Sequence, residues 1–337
     1  MPGDSGKGCA AIVTTLRGAG AVLDSFIDYH LAIGFAHLFL FFDDPGDPDL
    51  SRAAANPAVT AIAHDESLRR AWTRLPQYEE QAAFLEREVM ARQILNVQLA
   101  MEMARRQGLG WLLNIDADEL FYSPGQSAGE YFAALADAPH ETVTFPNFEA
   151  LPEVEDIADF FREVDLFRAP PPAGRPPAPA ALQLLTAVPQ LTPGLFHYYA
   201  CGKSAVRLSA PDMRPLGVHN FERPGGAAGA VDRERFILHY PCCGFEAFWT
   251  KYATLGRFSD KWFGKYDIAA EIGTFHLEAR DVVTGGGRDA ALAFYRRRVA
   301  LKDPVIIEAL LRFGILARIS QPRRILARER GRNFAVL

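Results

Sequence analysis

Cysteine is scarce in this chain: Cys9, Cys201, Cys242 and Cys243 are the only four in 337 residues. None is spaced as Cys-x-x-Cys, which argues against a cysteine zinc site. The adjacent Cys242-Cys243 reads as two small packed side chains rather than a disulfide. No run of about 18 apolar residues occurs, so no transmembrane helix is expected. The N-terminal MPGDSGKGCAAIVTT has no apolar core of the signal-peptide kind. Positive charge is not in excess either: the net charge is −5, which implies no general nucleic-acid affinity. The Gly-x-Gly-x-x-Gly fingerprint is missing after the first candidate strand, where RGAGAV stands. Walker A and Gly-x-Ser-x-Gly motifs are missing too. A nicotinamide dehydrogenase, a P-loop enzyme and a serine hydrolase are therefore unsupported. There is no internal repeat.

What is present is an ordinary globular composition, 49% hydrophobic and 23% charged, long enough for one large domain or two modest ones. Its most informative stretch is WLLNIDADELF at 111–121. The apolar run Trp111–Ile115 reads as a buried strand of a parallel sheet. It breaks into Asp116-Ala117-Asp118-Glu119. Alternate residues of an extended chain share a face, so Asp116 and Asp118 project together. They do so at a strand's carboxyl end, where open α/β sheets bind ligands. Two adjacent carboxylates repel unless a cation offsets them. Mg²⁺ and Mn²⁺ suit such oxygen ligands, often together with substrate phosphates. The plain alternative is an Asp-rich turn or helix cap.

The surrounding pattern alternates strand and helix. CAAIVTT at 9–15 reads as the first strand, 22–33 as a helix stopped at Gly34, HLFLFF at 37–42 as the second strand, and AVTAIA at 58–63 as the third. One long helix is expected over 77–107, ended by Gly108 and Gly110, with the 111–115 strand at once after it. This order is the signature of a parallel α/β sheet. ETVTF at 141–145, KSAVRL at 203–208 and FILHY at 236–240 are further strands. PPPAGRPPAP at 170–179 should form neither helix nor sheet, with order returning near Leu195. From Phe245 the pattern is helical. The segment 304–332 is amphipathic and basic, with seven Arg against two Glu after Val305. A solvated tail helix is the plain reading, and contact with a membrane surface or a partner the other.

Other residues could join the two aspartates. Asp43, Asp44, Asp47 and Asp49 follow the second strand, where a carboxylate can hold a base or ribose; a turn rich in Asp and Pro is the alternative. His219 could offer a neutral imidazole to Mn²⁺, or be an ordinary core or surface histidine. Lys203 and Arg207 lie on one face of their strand, pointing the same way, and such cations could neutralise a diphosphate. His239-Tyr240 ends a strand, with Lys251 on the helix after it.

In this order the motifs resemble the GT-A glycosyltransferases, in particular the family 92-like group related to family 2. The resemblance rests on Phe26-Ile27-Asp28-Tyr29-His30, Ile33-Gly34, the strand and acidic loop at 37–47, Trp111–Phe121, Lys203 with Arg207, Val218-His219, and His239-Tyr240 with Lys251. It covers about residues 8–255. Leu16-Arg17 stands where that group usually has Asn-Glu, and Phe148-Glu149 where it tends to have Phe-Gly.

The resemblance implies a GT-A (Rossmann-like) α/β fold: a mostly parallel central sheet flanked by helices. It implies a domain at 8–255 with a Pro-rich insertion at about 169–180, then a helical extension at 256–337. It implies a metal-dependent glycosyltransferase moving a sugar from a nucleotide sugar, UDP-linked, to a glycan or other hydroxyl acceptor, with inversion. Asp116 and Asp118 would carry Mn²⁺ (or Mg²⁺) on the donor diphosphate, with His219 a further metal or phosphate contact. Asp43 or Asp44 would hold the nucleoside, and Lys203, Arg207 and His239 would also face the donor. The base that takes the acceptor proton is expected among Glu149, Glu153, Glu155 and Asp156, with Glu149 and Glu153 put forward. A nucleotidyltransferase on the same sheet, or a nucleotide- or glycan-binding module that has lost the chemistry, are the competing readings. The chain as given reads as soluble: cytoplasmic, or a Golgi-type enzyme without its anchor. Membrane contact would come only through the basic C-terminal helix or such an anchor.

Overall fold

The computed structural model describes residues 8–170, 178–191 and 197–334. The chain forms two compact units, one of Met1–Pro146, Cys201–Ile237 and Arg328–Leu337, the other of Asn147–Ala200 and Leu238–Ala327. Neither is one contiguous segment.

The first unit is built on a seven-stranded sheet. Across it the strands run Gly229–Val231, Thr142–Phe145, Lys203–Arg207, Trp111–Asn114, Ala10–Leu16, His37–Phe42, Val59–Ala63. Only Lys203–Arg207 runs against its neighbours; the pairs among the other strands are parallel. The mostly parallel α/β sheet expected from the sequence is thus observed. Its strands read as continuous apolar runs because both faces are covered: Ala11, Ile12, Val13, Leu38, Phe39, Leu40 and Phe42 are all fully buried. Chain order reverses between Ala10–Leu16 and Trp111–Asn114, which leaves a crevice at their carboxyl ends.

Helix Val22–Ala32 buries Leu23, Phe26, Ile27 and Tyr29. Its turn ends at Gly34, whose φ is +102° and where an added Cβ would lie 2.9 Å from the Gly129 nitrogen. Only glycine meets both conditions. Tyr29 and His30 then do something the motif alone does not reveal. The Tyr29 hydroxyl donates to the Phe121 carbonyl at 2.9 Å. His30 Nδ1 donates to the Phe26 carbonyl at 2.8 Å and Nε2 accepts the Phe121 N–H at 3.2 Å. Burial lowers the His30 pKa to about 3, so the neutral ring can play both parts. Helix Val22–Ala32 is thereby fastened to the strand Glu119–Tyr122.

The single helix expected over 77–107 is not observed. It is divided into Tyr78–Gln81, a 3₁₀ turn at Ala82–Phe84, and Val89–Arg106. The Phe84 carbonyl takes the N–H groups of both Arg87 and Glu88, and Arg92 Nη1 donates to the Leu85 carbonyl at 2.6 Å. A side chain thus fills a place the helical ladder would need.

The second unit pairs Asn147–Ala150 with Leu166–Arg168 and the latter with Leu316–Arg318, both antiparallel. Its helices Phe245–Leu255, Phe275–Gly285 and Gly287–Arg298 share a core of Phe248, Tyr252, Phe275, Phe294 and Tyr295. Of the stretch 170–179, residues 171–177 lie outside the described residues, as does Leu195. Pro179 nevertheless opens a helix, Pro179–Ala187: proline lacks only an N–H that the first turn cannot use. The expected helical tail at 304–332 is two helices, Pro304–Arg312 and Gln321–Phe334, separated by the strand Leu316–Arg318. Among the described residues no helix is long and apolar enough to cross a membrane.

Candidate active site

The strand Trp111–Asn114 delivers Asp116 to the crevice at the sheet's carboxyl edge. The Thr14 hydroxyl, from the neighbouring strand, ties down the Ile115 carbonyl just before it. Asp116 is one-third exposed, and both its oxygens are engaged. Oδ1 accepts from Gln93 Nε2 at 2.8 Å. Oδ2 accepts from Lys203 Nζ at 2.6 Å, and the Lys203 side chain is 1% exposed. Asp118 is half-buried on the next turn.

Glu119 completes the group. It is fully buried, takes the Asp116 N–H on Oε2 at 2.7 Å, and places the same oxygen 3.6 Å from Lys203 Nζ. Its other oxygen, Oε1, is buried without a hydrogen-bond partner. Burial pushes the Glu119 carboxyl well above the usual carboxylate range; Lys203 works against that, and Asp116 and Asp118 add to it. Burial also opposes the Lys203 ammonium, but Asp116 and Glu119 outweigh it and hold its pKa above the ordinary lysine value.

The loop after Lys203–Arg207 returns over this group. Asn114 Nδ2 donates to the Val218 carbonyl at 2.9 Å, and His219 Nδ1 lies 3.1 Å from the Gly202 carbonyl. Burial, then the nearby Lys203, lower the His219 pKa to about 3, so its imidazole is neutral at neutral pH.

Of the residues expected at the site, Asp116, Asp118, Lys203 and His219 come together. Arg207 serves elsewhere. Four residues of strand put it roughly 13 Å from Lys203, where it donates to the carbonyls of Leu135, Ala136, Ala138 and His140. It closes the end of helix Ala128–Ala134. The acidic loop divides in two. Asp43 receives Arg92 on both oxygens, at 2.5 and 2.7 Å, with His64 Nδ1 3.7 Å away. Asp44 accepts the Gly46 N–H at 2.9 Å and lies 3.6 Å from Arg17. Asp47 and Asp49 are buried and hold the N–H groups of Gly18 and Gly20, both at 2.7 Å. Those two are turn-builders.

Glu149, Glu153 and His239 belong to the second unit. Glu149 lies opposite Arg168 in register, 3.8 Å from its Nη1. Both its oxygens face the His197 N–H, the nearer at 3.0 Å. His239 Nδ1 is 3.9 Å away. All of these are buried, and Glu149, Arg168 and His197 line a cavity of about 10 Å³, room for roughly one water. Burial raises the Glu149 pKa to about 7, against the pull of Arg168. Glu153 is an exposed partner of Arg318, at 2.5 and 2.9 Å. Lys251 Nζ donates to the Pro241 carbonyl at 3.1 Å.

Sequence reasoning passes over Glu119, Gln93 and Arg92. Glu119 carried a signal: it is a charged residue opening an otherwise apolar strand, ELFY. The two helix residues carried none, because the helix is legible only by its apolar stripe.

Among the described residues, no three His, Cys, Asp or Glu side chains converge as a ready metal cage. The donor set still suits Mg²⁺ or Mn²⁺, which bind through one or two carboxylates and complete their shell with water and substrate phosphate. Three carboxyl groups, of Asp116, Asp118 and Glu119, stand in this group with the one Lys203 ammonium, and Glu119 Oε1 is buried without a hydrogen-bond partner.

No family model matches the chain. It is similar to two Arabidopsis thaliana proteins, both named glycosyltransferase-like. The first is 28% identical over 328 residues, covering 93% of this chain and 71% of that protein. The second is 27% identical over 334 residues, covering 93% of this chain and 62% of that protein. Among solved structures, core-mannan synthase A from Aspergillus fumigatus, in its Mn/GDP form, covers 43% of this chain and 44% of its own at 9% identity and a TM-score of 0.27. A CMP:2-keto-3-deoxy-manno-octonic acid synthetase complexed with CTP covers 43% and 54% at 14% identity and a TM-score of 0.22. By sequence, then, the chain is similar over nearly its whole length to proteins named glycosyltransferase-like.

Proposed function

We propose that this protein is a glycosyltransferase of the GT-A type, moving a sugar from a UDP-linked donor to a hydroxyl of a glycan acceptor with inversion. The observation that carries the reading is the group Asp116, Asp118, Glu119 and Lys203 at the carboxyl edge of a parallel sheet, beside its switch point. The names of the two relatives agree with it. The narrower placement beside families 92 and 2 rests on the order of the motifs alone.

Breaking a glycosidic bond to a nucleoside diphosphate develops negative charge on the leaving phosphates. A Mn²⁺ or Mg²⁺ ion held by Asp118 and Asp116 would supply charge to meet it. Lys203 supplies a second positive charge, kept at the site by Asp116 and Glu119. His219, neutral, offers either a hydrogen bond or a lone pair. Asp43 is oriented by Arg92 and His64, and Asp44 lies beside it on the loop; these two are proposed to hold the nucleoside. Gln93 fixes the rotamer of Asp116.

The test is the product. Purified protein is incubated with UDP-sugars, Mn²⁺ and an acceptor panel, and the released nucleotide is identified. Nucleoside diphosphate with a glycosylated acceptor supports the proposal. Pyrophosphate released from a nucleoside triphosphate would replace it with nucleotidyl transfer. Binding without any turnover would replace it with a binding module. A thermal-shift panel with and without Mn²⁺ picks the donor first, since ligands that bind only the folded state raise Tm.

A further inference from the structure

In the structure Lys203 takes up the place where a divalent ion would be expected to pull on Asp116. Its ammonium is buried, sits 2.6 Å from Asp116 Oδ2, and is only 3.6 Å from Glu119 Oε2. Glu119 is held by the Asp116 N–H on that oxygen, and its buried Oε1 has no hydrogen-bond partner. A carboxylate oxygen left so in the interior is costly unless another state of the site uses it. The ammonium thus stands 3.6 Å from Glu119 Oε2 against 2.6 Å from Asp116 Oδ2, so a small shift would bring it to Glu119.

We propose that Lys203 is a displaceable internal cation. It satisfies Asp116 while no metal is bound and passes to Glu119 when a divalent ion engages Asp116 and Asp118. Glu119 is then a positioning residue: it receives the ammonium and keeps it beside the diphosphate, ready to add charge there. This inference rests on the metal-dependent reading above and adds a competition between two cations for one carboxylate. Such competition lowers the apparent affinity for the metal, because part of its binding free energy goes into moving Lys203. It also spares the half-buried Asp116 from standing as an uncompensated charge before substrate arrives.

The test uses Mn²⁺ binding to the nucleotide-free protein, read by the loss of free-ion electron paramagnetic resonance signal at fixed pH. Lys203→Met removes the competitor and keeps the volume of the side chain. It should bind Mn²⁺ about tenfold more tightly than wild type, although its donor turnover falls. Glu119→Gln keeps an acceptor for the Asp116 N–H but gives the ammonium no charged place to go. It should bind Mn²⁺ more weakly than wild type. The opposite signs separate this arrangement from a simple loss of structure, and circular dichroism on each variant checks that it is folded. Should either variant fail to fold, Lys203→Gln and Glu119→Ala, which likewise remove the ammonium and the carboxylate, replace it with the same expected signs. Equal affinity in wild type and both variants overturns the exchange and leaves the transferase reading standing. No Mn²⁺ binding by any folded protein removes the metal from the proposed function, and the exchange with it.

Discussion

Asp116 and Glu149 are both carboxylates facing a buried cation, and the two units treat them in opposite ways. Asp116 keeps 32% of its side chain exposed and holds Lys203 at 2.6 Å. Glu149 keeps 2% and stands 3.8 Å from Arg168, which keeps none. At Lys203 in the first unit attraction wins over burial: its pKa is raised, toward the charged form. In the second unit burial wins over attraction. Glu149 is raised to about 7 and Arg168 lowered to about 10, each toward neutrality. Water reaching one partner separates them, because a partly solvated ion pair is spared much of the desolvation cost that a sealed one bears. The first arrangement can exchange partners with a ligand. The second is a polar joint inside a core, and its residues are poorly placed to meet a substrate.

The sharpest way to break this contrast is at Asp118. Asp118→Ala should lower transfer by about a hundred- to a thousandfold while leaving the urea midpoint unchanged; wild-type turnover with Mn²⁺ present would sink the site assignment. Next comes Arg168→Ala, which leaves Glu149 and its neighbours buried without their cation. A loss of about 3–5 kcal/mol in urea unfolding is expected, and a loss under 1 kcal/mol would show that the cluster is not ionic. The third test is pH. The Glu149 carboxyl is raised in the folded state from 4.5 to about 7, so between those values the folded protein binds more protons than the unfolded one. Stability from this group is therefore full below about pH 4.5 and is lost as pH climbs to 7, by up to about 3 kcal/mol. Glu149→Gln should flatten that slope; an unchanged slope would assign it to another group. The smallest effect is expected at Glu153, whose ion pair with Arg318 is exposed. Glu153→Ala should cost about 0–1 kcal/mol and spare transfer. Abolished transfer in that variant would make Glu153 the base after all.

The sequence made the sheet legible because buried parallel strands are unbroken apolar runs. His37–Phe42 is observed with the bounds expected of it, and Trp111–Asn114 with its end one residue short. The break in the 77–107 helix was hidden, since it depends on Arg92 reaching back to Leu85. The strand Leu316–Arg318 is three residues defined only by pairing with Leu166–Arg168. At the site, the Asp-x-Asp spacing was readable as a pair of carboxylates, but the partners that decide their state were not. Gln93 and Lys203 reach Asp116 from 23 and 87 residues away in the chain. Glu119 was visible as a letter of the motif without a role, because its role is to bridge a backbone N–H and a distant ammonium. Asp47 and Asp49 looked like candidates and are spent on the Gly18–Gly20 turn.

The strand Lys203–Arg207 lies between Trp111–Asn114 and Thr142–Phe145 in the sheet, yet it is made long after both. On the ribosome the first unit must therefore wait. Until residue 207 has emerged, Trp111–Asn114 has an open edge of unpaired backbone groups, and Asp116 has no lysine. Open apolar edges are templates for pairing with other chains. The inverted strand is thus both the supplier of the site's cation and the piece whose late arrival sets the window in which a nascent chain can go astray.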